Sequence, residues 1–289
     1  DDATKVFGAA DPSFTSTVSS GALISPDEVT SVTYTFEGTG STSYGPSTTP
    51  PSAVGTYSIT PSAAVINPGG ASSYDIAYVA GTYSITSAAA AKLVITGSAS
   101  QTAGASQDLT ITAYDVGGNV ATTYTGDKSL TFSGATQAPA GQLPSVKSKA
   151  GTTVVFGTAT TIEFVNGVAS VSSGNNGAMT LYAAESATVS VTDGSLSSSG
   201  SDRLTVSVTP ATAAALEVTT EPVGGAPGGA LATQPVVTVI DAYGNTVTGS
   251  SASVMATIAS GSNGTLGGTT TVSASSGVAT FTDLTFNGD

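Results

Sequence analysis

The chain has 289 residues with 19 acidic and 6 basic side chains, a net charge of −13, and neither cysteine nor histidine. The absence of cysteine excludes disulfides and thiol chemistry, and without histidine or cysteine no Ser-His or Cys-His catalytic pair can form. The acidic balance excludes nucleic acid as a partner, because its phosphates require a basic patch.

The predicted elements are β-strands from one end of the chain to the other. Hydrophobic residues alternate with Ser or Thr at a period of two, whereas no segment sustains a helical period. Each predicted strand has a group of hydrophobic residues that share one of its faces. In chain order these groups are Val32, Tyr34 and Phe36; Tyr74, Ile76 and Tyr78; Leu109 and Ile111; Leu130 and Phe132; Val189 and Val191; Leu204, Val206 and Val208; Val237 and Val239; and Val254, Ala256 and Ile258. No apolar run approaches the ~20 residues that span a bilayer, so we predict no membrane insertion in this segment.

One sequence pattern, a strand followed by an Asp-x-x-Gly-Asn motif and then by an x-Gly-Val-Ala motif, occurs twice in the same order and divides the chain. Short Ala-rich connections near Ser87 and Pro210 precede the two copies. We therefore predict three modules, at residues 1–86, 87–209 and 210–289. The first copy continues through three more strand-like runs after Val171, and the second does not, so the third module is expected to be incomplete at its C-terminal end. The predicted fold class is all-β, an elongated tandem array of β-sandwiches.

Residues 1–86 resemble the MBG domain, a mostly-β, glycine-rich repeat of bacterial surface proteins. The resemblance rests on four motifs: Lys5-Val-Phe-Gly8, Asp11-Pro-Ser-Phe14, Val54-Gly-Thr-Tyr-Ser-Ile-Thr60 and Tyr74-Asp-Ile-Ala-Tyr-Val-Ala-Gly-Thr-Tyr-Ser-Ile-Thr86. Members of that family usually have a strand just before the position of Asp1, and the resemblance implies that the first module is complete only with such a strand.

Residues 87–209 and 210–289 are similar to bacterial Ig-like modules of the invasin and intimin type. The shared motifs are Asp115-Val-Gly-Gly-Asn119 with Asp241-Ala-Tyr-Gly-Asn245, and Asn166-Gly-Val-Ala169 with Ser276-Gly-Val-Ala279. These resemblances imply an extracellular location at a bacterial cell surface, a structural or adhesive role, and no catalytic residues.

The Asp-x-x-Gly-Asn motifs have two interpretations. Gly supplies a positive φ and Asp or Asn bonds its own backbone, so the motif is typical of a sharp structural turn. Alternatively, carboxylate and carbonyl oxygens could bind Ca²⁺, which takes about six to eight such ligands. The calcium candidates are Asp115, Asn119 and Asp127 in the second module, and Asp241 and Asn245 in the third. No other cofactor is predicted.

Three further interpretations are open from the residues alone. Tyr57, Tyr74, Tyr78 and Tyr83 could stack on a sugar, or be core residues and cross-strand pairs. Lys92 or Lys128 could form an isopeptide bond assisted by Glu163. A carboxylate pair of the glycosidase kind is the remaining catalytic arrangement, but nothing in the sequence indicates a cleft, so we predict no enzyme.

These sequence features lead to three functional hypotheses. The first is a non-enzymatic stalk, spacer or body of an extracellular surface assembly. The second is a polymerising subunit of a filament, sheath or S-layer-like array, in which chains complete one another by strand donation at residues 281–289 and at the N-terminus. The third is a ligand-binding adhesin. The expected partners are other modules or copies of the same protein.

Overall fold

The fold is all-β, as predicted from the period-two alternation. The computed structural model describes residues 1–226, 228–259 and 263–288. Within these residues, helical conformation is confined to two short 3-10 turns, at Ala71–Ser73 and Gly200–Asp202. None of the helical segments in that part of the chain has the length or apolar character to cross a membrane.

The chain forms two compact units. The first contains residues 1–92, 113–125 and 165–167, and the second contains residues 93–112, 126–164 and 168–289. This division does not decide the predicted module limits, which stay an interpretation. The names first, second and third module are kept below for residues 1–86, 87–209 and 210–289.

The first module is a four-stranded sheet with an aromatic core. Its sheet order is β1-β4-β3-β2, with β1 parallel to β4 and the other pairs antiparallel. Alternation along β3 and β4 turns Tyr57, Ile59, Tyr83 and Ile85 inward, where they pack with Phe36. The strands are β1 (Ala3–Val6), β2 (Glu28–Gly38), β3 (Gly55–Asn67) and β4 (Gly81–Thr86).

The predicted strand through Tyr74, Ile76 and Tyr78 is wrong, because residues 74–80 join no sheet. Side-chain hydroxyls hold this segment instead of a ladder of backbone amides. The Tyr74 hydroxyl donates to Asp27 Oδ2 at 2.7 Å, and the Tyr78 hydroxyl accepts the Ala64 N–H at 2.9 Å.

The second module is a sandwich whose sheets are ordered β12-β9-β15-β16-β6, β13-β8-β5 and β11-β10-β14-β7. Its inward side chains include Leu93, Ile111, Leu130, Phe132 and Val206, each at most 1% exposed. The strands are β5 (Lys92–Thr96), β6 (Ser100–Thr102), β7 (Ser106–Asp108), β8 (Thr110–Tyr114), β9 (Gly126–Ser133), β10 (Ser145–Lys147), β11 (Thr153–Val155), β12 (Ala159–Phe164), β13 (Val168–Ser170), β14 (Ala178–Thr180), β15 (Ser186–Thr192) and β16 (Leu204–Thr209).

The third module repeats the beginning of this arrangement. Its sheets are β17-β18-β22, β19-β21 and β20-β23. Its core contains seven buried side chains: Val237, Val239, Val254, Ala274, Ala279, Phe281 and Leu284. The strands are β17 (Ala213–Thr220), β18 (Val236–Asp241), β19 (Ser253–Met255), β20 (Thr265–Gly267), β21 (Thr271–Ser273), β22 (Val278–Thr280) and β23 (Thr285–Asn287).

The repeated "x-Gly-Val-Ala" motif is a tight turn in both copies. Asn166 and Gly167 both have positive φ, at 49° and 84°, and so do Ser276 and Gly277, at 49° and 79°. Two consecutive positive φ values match the twist of a two-residue hairpin loop, which explains why Gly occupies the second position. The turns lead into β13 and β22, which pair with β8 and β18.

Candidate functional site

The two Asp-x-x-Gly-Asn motifs, here called the Asp–Asn turns (residues 115–119 and 241–245), have the same geometry. In the first turn, the Asp115 N–H donates to the Asn119 carbonyl at 2.9 Å, and the Gly118 N–H donates to the Asp115 carbonyl at 3.1 Å. Gly118 has a φ of 79°, which favours glycine at this position. The corresponding distances in the second turn are 2.9 and 3.1 Å, with Gly244 at a φ of 80°.

Each aspartate is buried and its oxygens accept N–H groups. Asp115 Oδ1 accepts the backbone N–H groups of Gly117 and Asn119, both at 2.9 Å. Asp241 Oδ1 accepts those of Tyr243 and Asn245, at 2.8 and 2.9 Å. Both aspartates are 2% exposed. The motif is therefore a hydrogen-bonded turn with a buried carboxylate at both positions.

The second oxygen of each aspartate binds the connection that enters its own module. Asp115 Oδ2 accepts the Ala88 N–H at 2.9 Å, and Asp241 Oδ2 accepts the Ala211 N–H at 2.8 Å. The paired asparagine side chains donate to the same oxygens, at 3.1 Å from Asn119 and 2.9 Å from Asn245. Each turn thus fixes the start of an Ala-rich connection to the module body.

Within the second compact unit, the second turn also contacts the module before it. The Asn245 amide donates to the Tyr182 carbonyl and accepts the Ala184 N–H, both at 2.8 Å. The rings of Tyr243 and Tyr182 meet edge to face with centroids 5.1 Å apart. A Cβ at Gly104 would have no room beside the Tyr243 hydroxyl. The second turn therefore joins the second and third modules through hydrogen bonds and an aromatic contact.

The first turn, which lies in the first compact unit, also contacts an aromatic ring, but here the ring comes from outside the motif. Gly117 occupies the place that Tyr243 has in the second turn, and the ring of Phe7 packs where a Cβ of Gly117 would lie. The Ser87 hydroxyl accepts the Thr122 N–H at 3.0 Å beside this turn. At its third position the motif thus leaves room for an aromatic ring in one copy and supplies one in the other.

Hydrogen bonding lowers the pKa of both aspartates. Burial by itself raises the pKa of Asp115 and of Asp241, because it disfavours the charged form. For Asp115 the opposing donors are Asn119, Ala88 and Gly117, and for Asp241 they are Asn245, Ala211 and Tyr243. These donors prevail, so the pKa of each aspartate lies below its usual value and the anion is stabilised by N–H groups.

Asp127, the remaining calcium candidate, lies on β9 in an ion-pair cluster. It stands directly across from Glu163 of β12, and Lys149 Nζ bridges the two carboxylates at 2.7 and 2.9 Å. The hydrogen bond to Asp127 is the main reason that the pKa of Lys149 is raised. In the described part of the chain no three acidic side chains are grouped to hold a metal ion.

Calcium binding stays a hypothesis, one of the two interpretations of the motif, and its test is direct. Because N–H donors already occupy the Asp115 and Asp241 oxygens, a bound Ca²⁺ would have to displace them. We expect millimolar Ca²⁺ to leave the thermal unfolding transition unchanged, as the structural interpretation of the turns requires. A rise in the melting temperature that Asp241→Asn abolishes, with Mg²⁺ as the matched ion, would instead establish a calcium site.

The tyrosines of the first module belong to its core and polar contacts. Tyr57 and Tyr83 are at most 1% exposed, and burial is the main cause that raises the pKa of each. The Tyr83 hydroxyl donates to Asp11 Oδ1, which also accepts Lys5 Nζ. This contact joins three of the motifs that carry the MBG resemblance. Tyr74 and Tyr78 line a cavity of about 590 Å³ with Asp1, Leu23 and Val29.

The fold and the turns define a class of protein: an all-β chain of several sheets that carries two hydrogen-bonded Asp–Asn turns. Residues 1–84 match the family model described as the MBG domain of the YGX type, which supports the resemblance drawn for the first module. No curated protein matches the chain.

Several solved structures are similar to the chain at low identity. Yersinia pseudotuberculosis InvD is 14% identical, with a TM-score of 0.34, over 90% of this chain and 73% of that one. The S-layer protein rSbsC is 15% identical, with a TM-score of 0.23, over 88% and 29%. The Parabacteroides merdae β-glucuronidase is 13% identical, with a TM-score of 0.28, over 53% and 16%. The chain thus spans a small part of the length of that enzyme.

Proposed function

We propose that the chain is a non-enzymatic structural segment of an extracellular bacterial surface protein, serving as a spacer or as the body of a surface assembly. The observation that carries the proposal is the repeated use of the Asp–Asn turns. Asp115 and Asp241 accept the N–H groups of the connections at Ala88 and Ala211. The MBG match at residues 1–84 supports the same role.

The chemistry of the chain agrees with a mechanical role. It contains no histidine or cysteine, and its most buried carboxylates are saturated by N–H donors. Such groups cannot act as a general base without breaking the turn that they hold together. Neighbouring modules that contact one another through hydrogen bonds resist bending better than modules on a free tether.

Surface display tests the spacer role. The chain is placed between a cell-surface anchor and an N-terminal fluorescent tag, and the height of the tag above the membrane is measured optically. We expect a greater height than with a Gly/Ser linker of equal residue number, because a flexible coil is more compact than folded modules in series. The Asp115→Asn and Asp241→Asn double variant should reduce the height. A tag no higher than with the Gly/Ser linker would contradict the spacer role.

Two alternatives are separated by binding assays on the purified chain. A polymerising subunit is favoured by the exposed apolar side chains Leu216 and Val218 of β17. This hypothesis requires that the chain associates more as its concentration is raised, as measured by sedimentation. The contacts would be made by strands at residues 281–289 or at the N-terminus. An adhesin would use the cavity beside Tyr74 and Tyr78, and requires saturable binding to a glycan or matrix protein that Tyr78→Ala removes.

A further inference from the structure

The first module has two segments whose backbones join no sheet, residues 16–23 and 74–80. The second of them begins in extended conformation, since Tyr74 has a φ of −128° and a ψ of 146°. Among the described residues, the backbone groups of 16–23 and 75–80 have no hydrogen-bond partner. Both segments therefore keep free N–H donors and C=O acceptors, which a sheet would have used.

These two segments and the β2–β3 hairpin line the cavity beside Tyr74 and Tyr78, called the tyrosine cavity below. Its volume of about 590 Å³ lies in the range of about 300–1,000 Å³ that small-molecule sites have. The hairpin contributes an apolar side, which consists of Val29, Val32, Pro61, Ala64 and Ile66. The cavity thus combines apolar surface with free backbone donors and acceptors.

Tyr78 supplies an aromatic ring that is both accessible and fixed in place. Its hydroxyl accepts the Ala64 N–H, and the residue is 41% exposed. Tyr74 is held in a similar way, because its hydroxyl donates to Asp27 Oδ2 and accepts the Ile24 N–H at 3.0 Å. A ring that is held by its polar end is a preorganised apolar contact, and a ligand that packs on it loses little binding energy to side-chain ordering.

The charged side chains that line the tyrosine cavity are all acidic, namely Asp1, Asp2 and Asp75. Asp1 and Asp2 accept hydrogen bonds from nearby threonines. Asp75 is exposed, and its carboxylate has no hydrogen-bond partner among the described residues. Like charge therefore disfavours an anionic ligand, and a purely apolar ligand would leave Asp75 and the backbone groups desolvated without partners.

We propose that the tyrosine cavity binds an uncharged saccharide. A sugar ring presents C–H groups on its faces and hydroxyls at its rim, and each hydroxyl both donates and accepts. The ring packs on Tyr78 while its hydroxyls donate to Asp75 and exchange hydrogen bonds with the backbone of residues 16–23 and 75–80. This site goes beyond the spacer role and gives the adhesin alternative a ligand class. The height of a displayed tag does not depend on it, so the two proposals can fail separately.

Saturation-transfer difference NMR on the full chain tests the proposal. The probes are maltotriose, cellotriose and triacetylchitotriose, which are uncharged trisaccharides that differ in linkage and substituents. Trigalacturonate is the matched anionic probe. We expect saturable binding of at least one uncharged probe, with saturation transferred to its ring protons, and no binding of trigalacturonate.

Asp75→Asn should weaken this binding at least about tenfold, because hydrogen bonds to a charged acceptor are among the stronger ones. Asp108→Asn, the same change at an exposed position of the second module, is the matched control and should have no effect. Tyr78→Ala should weaken the binding to a similar degree, and Tyr78→Phe, which keeps the ring, should retain most of it. Amide hydrogen exchange across β3 and β4 checks that the first module stays folded. Asp75 has no partner in the fold, so Asp75→Asn decides the outcome even where Tyr78→Ala unfolds the module.

Three results would overturn the proposal. Absence of saturable binding for all the uncharged probes would exclude the ligand class. Equal binding by the original chain, Asp75→Asn and Tyr78→Ala would place the saccharide outside the tyrosine cavity. Binding of a capped peptide of alternating Thr and Val instead of every saccharide, and its loss in Tyr78→Ala, would show that the unpaired segments take a β-strand and not a sugar.

Discussion

Replacing Asp241 by Asn should destabilise the third module by about 2–4 kcal/mol, since hydrogen bonds to a buried charged group contribute about 1.5–3 kcal/mol each. The substituted amide directs its own NH₂ group at the donors from Ala211 and Asn245, and leaves them without an acceptor. Urea unfolding followed by hydrogen exchange within residues 236–245 measures the loss. Asp108→Asn, an exposed change on β7, is the matched control and should have no effect.

The pH dependence of this difference identifies its origin. The folded-state pKa of Asp241 is lowered below its unfolded value, so the unfolded chain takes up the proton first as the pH falls. The stabilisation is therefore fully present above the unfolded pKa of about 4 and is lost as the pH falls through the folded pKa. The gap between the original chain and Asp241→Asn should be constant near neutrality and should shrink below about pH 4. A gap that does not change with pH would indicate altered packing and not a lost carboxylate.

Phe281→Ala should cost about 3–5 kcal/mol, the usual range for removing a buried aromatic ring. Phe281 is 2% exposed and is the largest of the seven buried side chains in the core of the third module. A core of this size gives the third module a small free energy of unfolding. Phe281→Ala should therefore unfold the third module and leave the melting temperature of the first module unchanged. Chymotrypsin digestion and hydrogen exchange of residues 210–288 measure the effect.

Phe286→Ala is the matched control within the same module. Phe286 lies on β23 and is 38% exposed, so its removal should cost less than about 1.5 kcal/mol. Equal losses for Phe281→Ala and Phe286→Ala would mean that the buried cluster is not the structural centre of the module.

Much of the fold follows from local pattern. The alternation in β3, β15, β16 and β18 predicts which side chains face inward, because neighbouring side chains in a strand point to opposite faces. The two-residue turns at Asn166 and Ser276 follow from the Gly at their second position, which readily takes the positive φ that such a turn requires. The same alternation fails at Tyr74, Ile76 and Tyr78, since it describes which face a side chain takes and not whether a backbone partner is in reach.

The Asp–Asn turns separate what the sequence determines from what depends on the tertiary structure. Their sequence by itself determined a tight turn, because Gly118 and Gly244 take the positive φ and each aspartate bonds amides within four residues. Only the tertiary structure decided what the second carboxylate oxygen does. Ala88 and Ala211 lie 27 and 30 residues before their aspartates, and chain folding alone brings them within 3 Å.

The exposure of β17 was likewise decided by the tertiary structure. Leu216 and Val218 have the spacing of inward residues, as Leu93 and Ile95 do, and the sequence by itself determined that they share one face. Whether that face is covered depends on strands remote in the chain. Burial depends on the arrangement of all the sheets. The period-two alternation of one strand does not determine which strand lies opposite it.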